Sequence, residues 1–195
     1  MNRFVPILLT TLSFSLSFHA QEHRPRPTTT PAPAPAARPT PAQTGTDNSG
    51  WVRFNSAPGR FSVLMPEIPE DKSETTPSDH GPYTTHLFIV KDTKNVYLIG
   101  WVDYDPSFNF NREAELEANR DNFVKGINAT LTSTRTLKLD GYSALEFTAD
   151  TGDRTFKSRV YMVGRRPYQI VIGTPKDEPD AVSTNRFFNS FKVSP

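Results

Sequence analysis

The fold is decided by residues 130–174, which read TLTSTRTLKLDGYSALEFTADTGDRTFKSRVYMVGRRPYQIVIGT. Apolar and polar side chains alternate along four segments of this stretch, which is the period-two pattern of half-buried strands. The connections between these segments are short, and each contains glycine beside polar residues, as tight antiparallel turns require. The stretch therefore predicts four consecutive antiparallel strands: Thr130–Leu139, Ser143–Asp150, Arg154–Val163 and Tyr168–Thr174.

Two further hairpins are predicted before this stretch. The first surrounds the turn Ala57-Pro58-Gly59 and the second surrounds residues 92–95, because turn-forming residues there separate alternating apolar segments. Residues 67–82 hold many charges, three prolines and almost no apolar residue, which predicts a loop between the hairpins. The predicted strands are Trp51–Phe54, Arg60–Met65, Tyr83–Val90 and Asn95–Tyr104.

A first helix is predicted at Arg112–Ile127. Leu116 and Phe123 lie near one face of this segment, and acidic residues fill its first turns, where negative charge suits the helix dipole. Asn109 or Asn111 is the expected N-cap, because the amide oxygen of asparagine accepts from free backbone N–H groups.

A closing helix is predicted at Asp180–Lys192, with Asp177 or Asp180 as its cap. The apolar residues expected on its inner side are Val182, Phe187, Phe188 and Phe191. The element order is therefore ββ–ββ–α–ββββ–α. This order predicts an α+β domain in which an antiparallel β-sheet is flanked by two helices.

The first twenty residues predict a signal peptide. Arg3 supplies a positive start, and residues 4–18 form an apolar run shorter than the roughly 20 residues that span a bilayer. We expect cleavage after Ala20, with Ser17 as the other candidate position. An uncleaved membrane anchor is the competing interpretation. The chain is therefore expected to be exported, periplasmic or secreted, with no membrane span after cleavage.

Residues 21–49 predict a disordered, proline-rich linker. They hold seven of the 18 prolines and no Leu, Ile, Val, Phe, Trp, Tyr or Met, so they cannot bury enough apolar surface to offset their ordering entropy. Alternating proline and alanine favour extended polyproline II, which is typical of a semi-rigid spacer. A proline-rich ligand for a partner domain is the other interpretation. The folded domain is expected at residues 50–195.

Composition excludes several classes of function. The sequence has no cysteine, which excludes disulfides, thiolate metal sites and cysteine nucleophiles. Lys and Arg total 22 against 21 Asp and Glu, a net charge of +1, whereas a nucleic-acid binder needs a basic surface. The sequence contains no Walker loop, no G-x-G-x-x-G motif and no G-x-S-x-G motif. We therefore expect no nucleic-acid partner and no cofactor.

Few residues are candidates for catalysis or metal binding. His23, His80 and His86 remain after the predicted cleavage, and their spacing does not predict a metal site. An enzyme would need convergent polar groups such as His86 with Asp103, because acid–base chemistry requires groups within hydrogen-bond reach. We expect no catalytic residues and no bound metal.

The candidate binding residues are Tyr104, Phe108, Phe110, Arg159, Arg165 and Arg166. The three aromatic residues follow a strong strand and form a contact patch if they are exposed; otherwise they pack beneath the first helix. The three arginines lie on one predicted hairpin, where they suit an acidic partner or an anionic glycan. The alternative for the arginines is ordinary strand charge that prevents edge-to-edge aggregation.

Four motifs carry a resemblance to a known family. They are GRFSVLMP at residues 59–66, VYLIGWVDY at 96–104, LDGYSALE at 139–146 and RVYMVGRRPY at 159–168. Their order and spacing over residues 51–193 resemble the PsbP-like superfamily, which includes the extrinsic PsbP proteins of photosystem II and the bacterial DcrB-like exported proteins. Ala144 departs from the pattern, because those families carry glycine at that place.

The resemblance implies an α/β/α sandwich with a central antiparallel sheet, in a bacterial exported protein. It also implies a non-enzymatic role, because these families act mostly as accessory or binding proteins. We therefore expect an exported binding domain that engages a protein or cell-envelope component. A small-ligand carrier, with a pocket between the sheet and the first helix, is the alternative function, and an envelope hydrolase is a third.

Overall fold

The computed structural model describes residues 42–46, 50–78, 81–109 and 111–194. The signal peptide predicted at residues 1–20 lies outside these described residues, as does most of the linker predicted at 21–49. Phe110 and His80 are outside them as well.

The described residues form twelve strands and two helices. In chain order they are β1 (Ala42–Thr46), β2 (Val52–Ser56), β3 (Phe61–Met65), β4 (Glu70–Asp71), β5 (Glu74–Thr76), β6 (Tyr83–Lys91), β7 (Val96–Tyr104), α1 (Arg112–Gly126), β8 (Thr130–Leu139), β9 (Tyr142–Asp150), β10 (Arg154–Val163), β11 (Arg166–Pro175), α2 (Ala181–Ser190) and β12 (Lys192–Val193). The alternation in the sequence becomes burial of every second side chain, most plainly in β3, where Phe61, Val63 and Met65 are buried.

The strands form two antiparallel sheets. The larger sheet has the order β4-β6-β7-β11-β10-β9-β8, with β5 also paired to β6. The smaller sheet has the order β1-β2-β3-β12. The α+β class with antiparallel strands and two helices is therefore confirmed, and the four-strand run from β8 to β11 pairs in sequence order, as predicted. A separate small sheet was not predicted, since alternation marks strands but does not say which strands pair.

The larger sheet is covered on both faces. Helix α1 packs on one face, where the buried side chains are Leu116, Leu145, Phe147, Val160 and Met162. Helix α2 and the smaller sheet pack on the other face, around aromatic residues that include Phe54, Phe61, Tyr97, Trp101, Tyr168 and Phe187. Each such side chain contributes about 1.5–3 kcal/mol by leaving water, which supplies the cohesion that a fold without disulfides needs.

The caps of both helices are among those that the sequence predicts. Asn111 accepts hydrogen bonds from two backbone N–H groups of the first turn of α1, and Asp180 accepts from the N–H of Ser183 in α2. Val182 was predicted to lie on the inner side of α2, and this prediction is wrong, because Val182 is 79 % exposed. At about 100° per residue, Val182 lies roughly 140° around the helix from the buried Phe187.

Four strands form where the sequence predicted none: β1, β4, β5 and β12, of which β12 includes Lys192, the last residue of the predicted closing helix. Residues 42–46 fall within the segment predicted as a linker, and they pair antiparallel with β2 as β1. Strands β4 and β5 fall within the predicted loop at residues 67–82 and pair with β6. Such short edge strands are held by backbone hydrogen bonds, so they do not need the apolar alternation from which strands are predicted.

Candidate functional site

A cleft of about 430 Å³ lies where three parts of the chain meet at one end of the larger sheet. These parts are the end of β7 with the loop after it, the β10–β11 turn, and the turn that leads into β3. The lining residues are Arg60, Val102, Asp103, Tyr104, Pro106, Arg165 and Arg166. We call this site the arginine cleft. Four of the predicted binding residues belong to it or to its rim: Tyr104, Phe108, Arg165 and Arg166.

Arg166 holds the cleft together. Its Nε donates to Oδ1 of Asp103 at 2.7 Å, and a second guanidinium nitrogen lies 2.6 Å from the same oxygen. Another nitrogen of the group donates to the carbonyl oxygen of Pro58 at 2.8 Å. The hydroxyl of Tyr168 donates to the carbonyl of Gly59 at 2.7 Å, next along the same turn. Strands β7 and β11 are thereby bound to the turn before β3, and the guanidinium of Arg166 is committed to internal contacts.

Asp103 is the acidic centre of this arrangement. Its Oδ2 accepts from Nε1 of Trp101 at 3.1 Å and lies 3.3 Å from Nε2 of His86. Burial by itself would raise the pKa of Asp103, but hydrogen bonds from His86 and Trp101 and the charge of Arg166 outweigh it and lower the pKa below its ordinary value. Asp103 is therefore a carboxylate at neutral pH. The His86 ring stacks on Trp101 with a centroid distance of 4.2 Å.

Tyr104 and Phe108 pack beneath α1 rather than forming an open aromatic patch. Their rings stack at a centroid distance of 4.7 Å, and the Tyr104 hydroxyl donates to Glu115 of α1. Burial raises the pKa of Tyr104, and the neighbouring charge of Glu115 raises it further. This matches the structural alternative given above for the aromatic residues. Phe110, the third member of the predicted cluster, lies outside the described residues.

Arg165 fastens the loop that follows β7. Its guanidinium donates to the carbonyl oxygens of Asp105 at 3.3 Å, Pro106 at 3.4 Å and Phe108. Side-chain and backbone hydrogen bonds from Ser107 lower the pKa of Asp105, and the charge of Arg165 lowers it further. Arg165 itself is exposed, so its charge faces the cleft while its hydrogen bonds hold the loop.

Arg60 is the charged residue of the cleft that was not among the candidates predicted from the sequence. It is exposed, and its side chain makes no hydrogen bond or ion pair with any residue that the structure describes. Its φ of 53° is left-handed, a conformation that favours glycine. Its carbonyl oxygen accepts from the N–H of Ser194 at 2.7 Å, just after β12. The sequence does contain one sign of this residue: a large cationic side chain follows Gly59 directly in a turn, a place where small or polar residues are more usual.

Arg159 does not belong to the arginine cleft. It lies on β10 against the buried Glu146, with Nε 2.7 Å from Oε2, and its guanidinium lies 4.6 Å from the ring centre of Phe188. Arg135 and Lys157 approach the same carboxylate. Burial would raise the pKa of Glu146, but these cations and their hydrogen bonds lower it. The three arginines predicted as one group are thus divided between two sites, because Arg159 turns to the α2 face of the sheet.

The described residues contain no group of three or more His, Asp or Glu side chains placed to hold a metal ion. Within the same residues, neither helix is long and apolar enough to cross a membrane.

Comparison with known proteins identifies the fold. A scan against protein-family models gives no match, and a search of curated proteins gives none either. Among solved structures, the solution structure of cyanobacterial PsbP (CyanoP) from Synechocystis sp. PCC 6803 superimposes with a TM-score of 0.50 and 16 % sequence identity. The match covers 72 % of this chain and 91 % of that one. The chain has a PsbP-like fold. At this identity the likeness concerns the fold alone, so the PsbP-like domain's cleft is interpreted from its own side chains.

Proposed function

We propose that the chain is an exported, non-enzymatic binding domain that engages an acidic protein or cell-envelope component through the arginine cleft. The observation that carries the proposal is the state of Arg60. Its guanidinium is exposed in a concave site and bonds to none of the described residues. A guanidinium in this position is available for charge-assisted hydrogen bonds to a carboxylate or another oxyanion.

The backbone of Arg60 supports the same proposal. A left-handed conformation costs a residue with a Cβ roughly 1–2 kcal/mol, and glycine would avoid that cost. The turn therefore carries strain, and the Arg60 side chain makes no hydrogen bond or ion pair with a described residue that would offset it. Strained residues of this kind cluster at binding sites and clamps, where a role outside the fold explains their presence.

The surroundings of Asp103 support a structural role for it rather than a catalytic one. One carboxylate oxygen is engaged by Arg166, and the other by Trp101 and His86. The His86 ring is stacked on Trp101, which fixes its orientation. The approach of His86 to Asp103 is the convergence that the enzyme alternative required, but Arg166 and Trp101 share the same carboxylate, which favours a structural role for it.

The packing beneath α1 speaks against the carrier alternative. A carrier would need a cavity between the larger sheet and this helix. The side chains at that place are Leu116, Leu145, Phe147, Val160 and Met162, each 5 % exposed or less, and they pack against one another as a core. The arginine cleft lies elsewhere and is lined mostly by charged groups.

Export and a proline-rich spacer complete the proposal. The basic start and apolar run of residues 1–18 would direct the chain out of the cytoplasm, and the proline-rich segment after residue 20 would act as a spacer. The PsbP-like domain would then present its cleft at a distance from the point where the chain begins.

A capture experiment tests the proposed function. Purified wild-type protein and the Arg60→Gly variant are immobilised and incubated with an envelope extract of the source cells, and the retained material is compared by mass spectrometry. Glycine suits a φ of 53°, so the variant removes the cation while keeping the turn. We expect the wild type to retain a component that Arg60→Gly does not.

Two control variants accompany the experiment. Asn128→Gly places glycine at the same φ of 53° in the turn after α1, and Lys138→Gln removes one exposed positive charge from β8. Both should retain the component as the wild type does. Recovery of the same components by wild type and Arg60→Gly would overturn the proposal.

A further inference from the structure

The charges around the arginine cleft nearly balance. Three guanidinium groups, those of Arg60, Arg165 and Arg166, line the cleft together with one carboxylate, Asp103, and the carboxylate of Asp105 adjoins it on the loop after β7. Asp103 is ion-paired with Arg166, and the carboxylate of Asp105 lies where the charge of Arg165 lowers its pKa. Of these three guanidinium groups, only that of Arg60 lacks a counter-charge among the described residues, so the cleft and the adjoining Asp105 together have an excess of one positive charge.

An excess of one charge suits a ligand of one negative charge. A single carboxylate neutralises the cleft, whereas a phosphate monoester, which carries about −1.5 to −2 at pH 7, leaves excess negative charge beside Asp103 and Asp105. Both aspartates have lowered pKa values, so neither becomes neutral to accommodate a dianion at that pH. The planar guanidinium of Arg60 also matches the two oxygens of a carboxylate.

The rest of the lining fits a peptide. Val102, Pro106 and Tyr104 border the charged groups, so methylene groups next to a carboxylate have apolar surface to contact. An anionic membrane surface is less suited, because residues 50–195 hold 18 basic and 19 acidic side chains and have no net attraction to it.

Resting on the proposed function, we infer that the arginine cleft recognises a single carboxylate side chain in an acidic peptide segment, in preference to phosphate. Arg60 makes the ion pair with that carboxylate. Arg166 and Arg165 act as positioning residues, because their guanidinium groups hold the walls of the cleft through Asp103, Pro58 and Phe108.

NMR titration of the isotope-labelled protein tests this inference. The probes are three blocked pentapeptides of the form Gly-Gly-Xaa-Gly-Gly, in which Xaa is glutamate, glutamine or phosphoserine. We expect the glutamate peptide to shift the amide signals of residues that line the cleft, and to bind on the order of tenfold more tightly than the glutamine peptide, since hydrogen bonds to charged groups are the stronger ones. The phosphoserine peptide should bind more weakly than the glutamate peptide.

The variants localise the effect. Arg60→Gly should lower the affinity for the glutamate peptide by on the order of tenfold, and Lys138→Gln should leave it unchanged. Phosphoserine binding as tightly as glutamate, equal binding of glutamine, or an unaltered affinity in Arg60→Gly would each overturn the inference. If the protein sediments with anionic phosphatidylglycerol vesicles and Arg60→Gly does not, the ligand of the cleft is a lipid surface and the peptide inference is wrong.

The outcomes separate the two proposals. If Arg60→Gly loses an envelope component in the capture experiment but glutamate is not preferred over phosphoserine, the carboxylate inference is wrong and the proposed function stands. If Arg60→Gly captures everything that the wild type captures, the proposed function itself is wrong.

Discussion

Asp103→Asn is the variant that most directly tests the scaffold of the arginine cleft. Asparagine keeps the shape of the side chain but removes the charge that faces Arg166, and it offers one acceptor oxygen in place of two. The pair is partly exposed, with side-chain accessibilities of 25 % for Arg166 and 41 % for Asp103. Its loss should therefore fall between the 0.2–1 kcal/mol of exposed pairs and the 3–5 kcal/mol of buried ones, at about 1.5–2.5 kcal/mol.

The stabilisation that Asp103 contributes should depend on pH, and it should decrease as the pH falls. The pKa of Asp103 is lowered in the folded state, so its contribution is fully present above the ordinary value of about 3.9 and is lost as the pH falls through the folded value. The difference in unfolding free energy between wild type and Asp103→Asn should therefore be constant from pH 7 to about pH 5 and shrink below pH 4.

Urea denaturation followed by tryptophan fluorescence measures the loss of unfolding free energy and its pH dependence. Trp101 is a suitable reporter because it donates its indole N–H to Asp103. Thermal melting should show a decrease in Tm of roughly 3–10 °C for a domain of this size. Asp153→Asn is the control, since Asp153 is 84 % exposed and lies 3.9 Å from Arg154. A loss below 0.5 kcal/mol in Asp103→Asn, or a difference that persists unchanged to about pH 2.5, would refute the reasoning.

Three further predictions concern stability. Arg60→Gly should keep the unfolding free energy or raise it by up to about 1 kcal/mol, because relief of left-handed strain, roughly 1–2 kcal/mol, exceeds the ~0.4–1 kcal/mol of added unfolded-chain entropy. A decrease in the unfolding free energy, measured by urea denaturation, would contradict it. Glu146→Gln should cost about 2–4 kcal/mol, because it leaves Arg159 without its buried counter-charge. Equal midpoints for Glu146→Gln and wild type would rule this out. Phe147→Ala should cost about 3–5 kcal/mol, since Phe147 is fully buried beneath α1. Calorimetry that shows an unchanged Tm would reject the packing described here.

The long strands of the larger sheet were predictable because most of them bury one face; β8 is largely exposed, and the short strands β4 and β5 were not predicted. The alternation of apolar residues in β8–β11 and the turns between them depend on neighbours within a few residues, so the bounds agree closely with those observed. The division into two sheets depends on pairings such as β12 with β3, which join residues over 100 positions apart. Local patterning carries no information about such pairings.

The residues of the arginine cleft were predictable only in part, for the same reason. Arg165 and Arg166 were found because they stand together in a turn. Their different roles come from partners that are distant in sequence: Pro58 and Asp103 for Arg166, and the loop after β7 for Arg165. Arg60 was not predicted because its distinguishing features are a backbone angle and a side chain without a hydrogen bond or ion pair to the described residues, neither of which composition reveals.

The bond from Ser194 to Arg60 ties the arginine cleft to the pairing of β12. Strand β12 pairs with β3 at Val193 and Phe61, and the next residue fixes the carbonyl of Arg60. Residues 192–194 do not line the cleft, yet they restrain the backbone of the residue on which the proposed recognition depends. Changes that unpair β12 should therefore disturb the turn at Arg60 while most of the core stays folded.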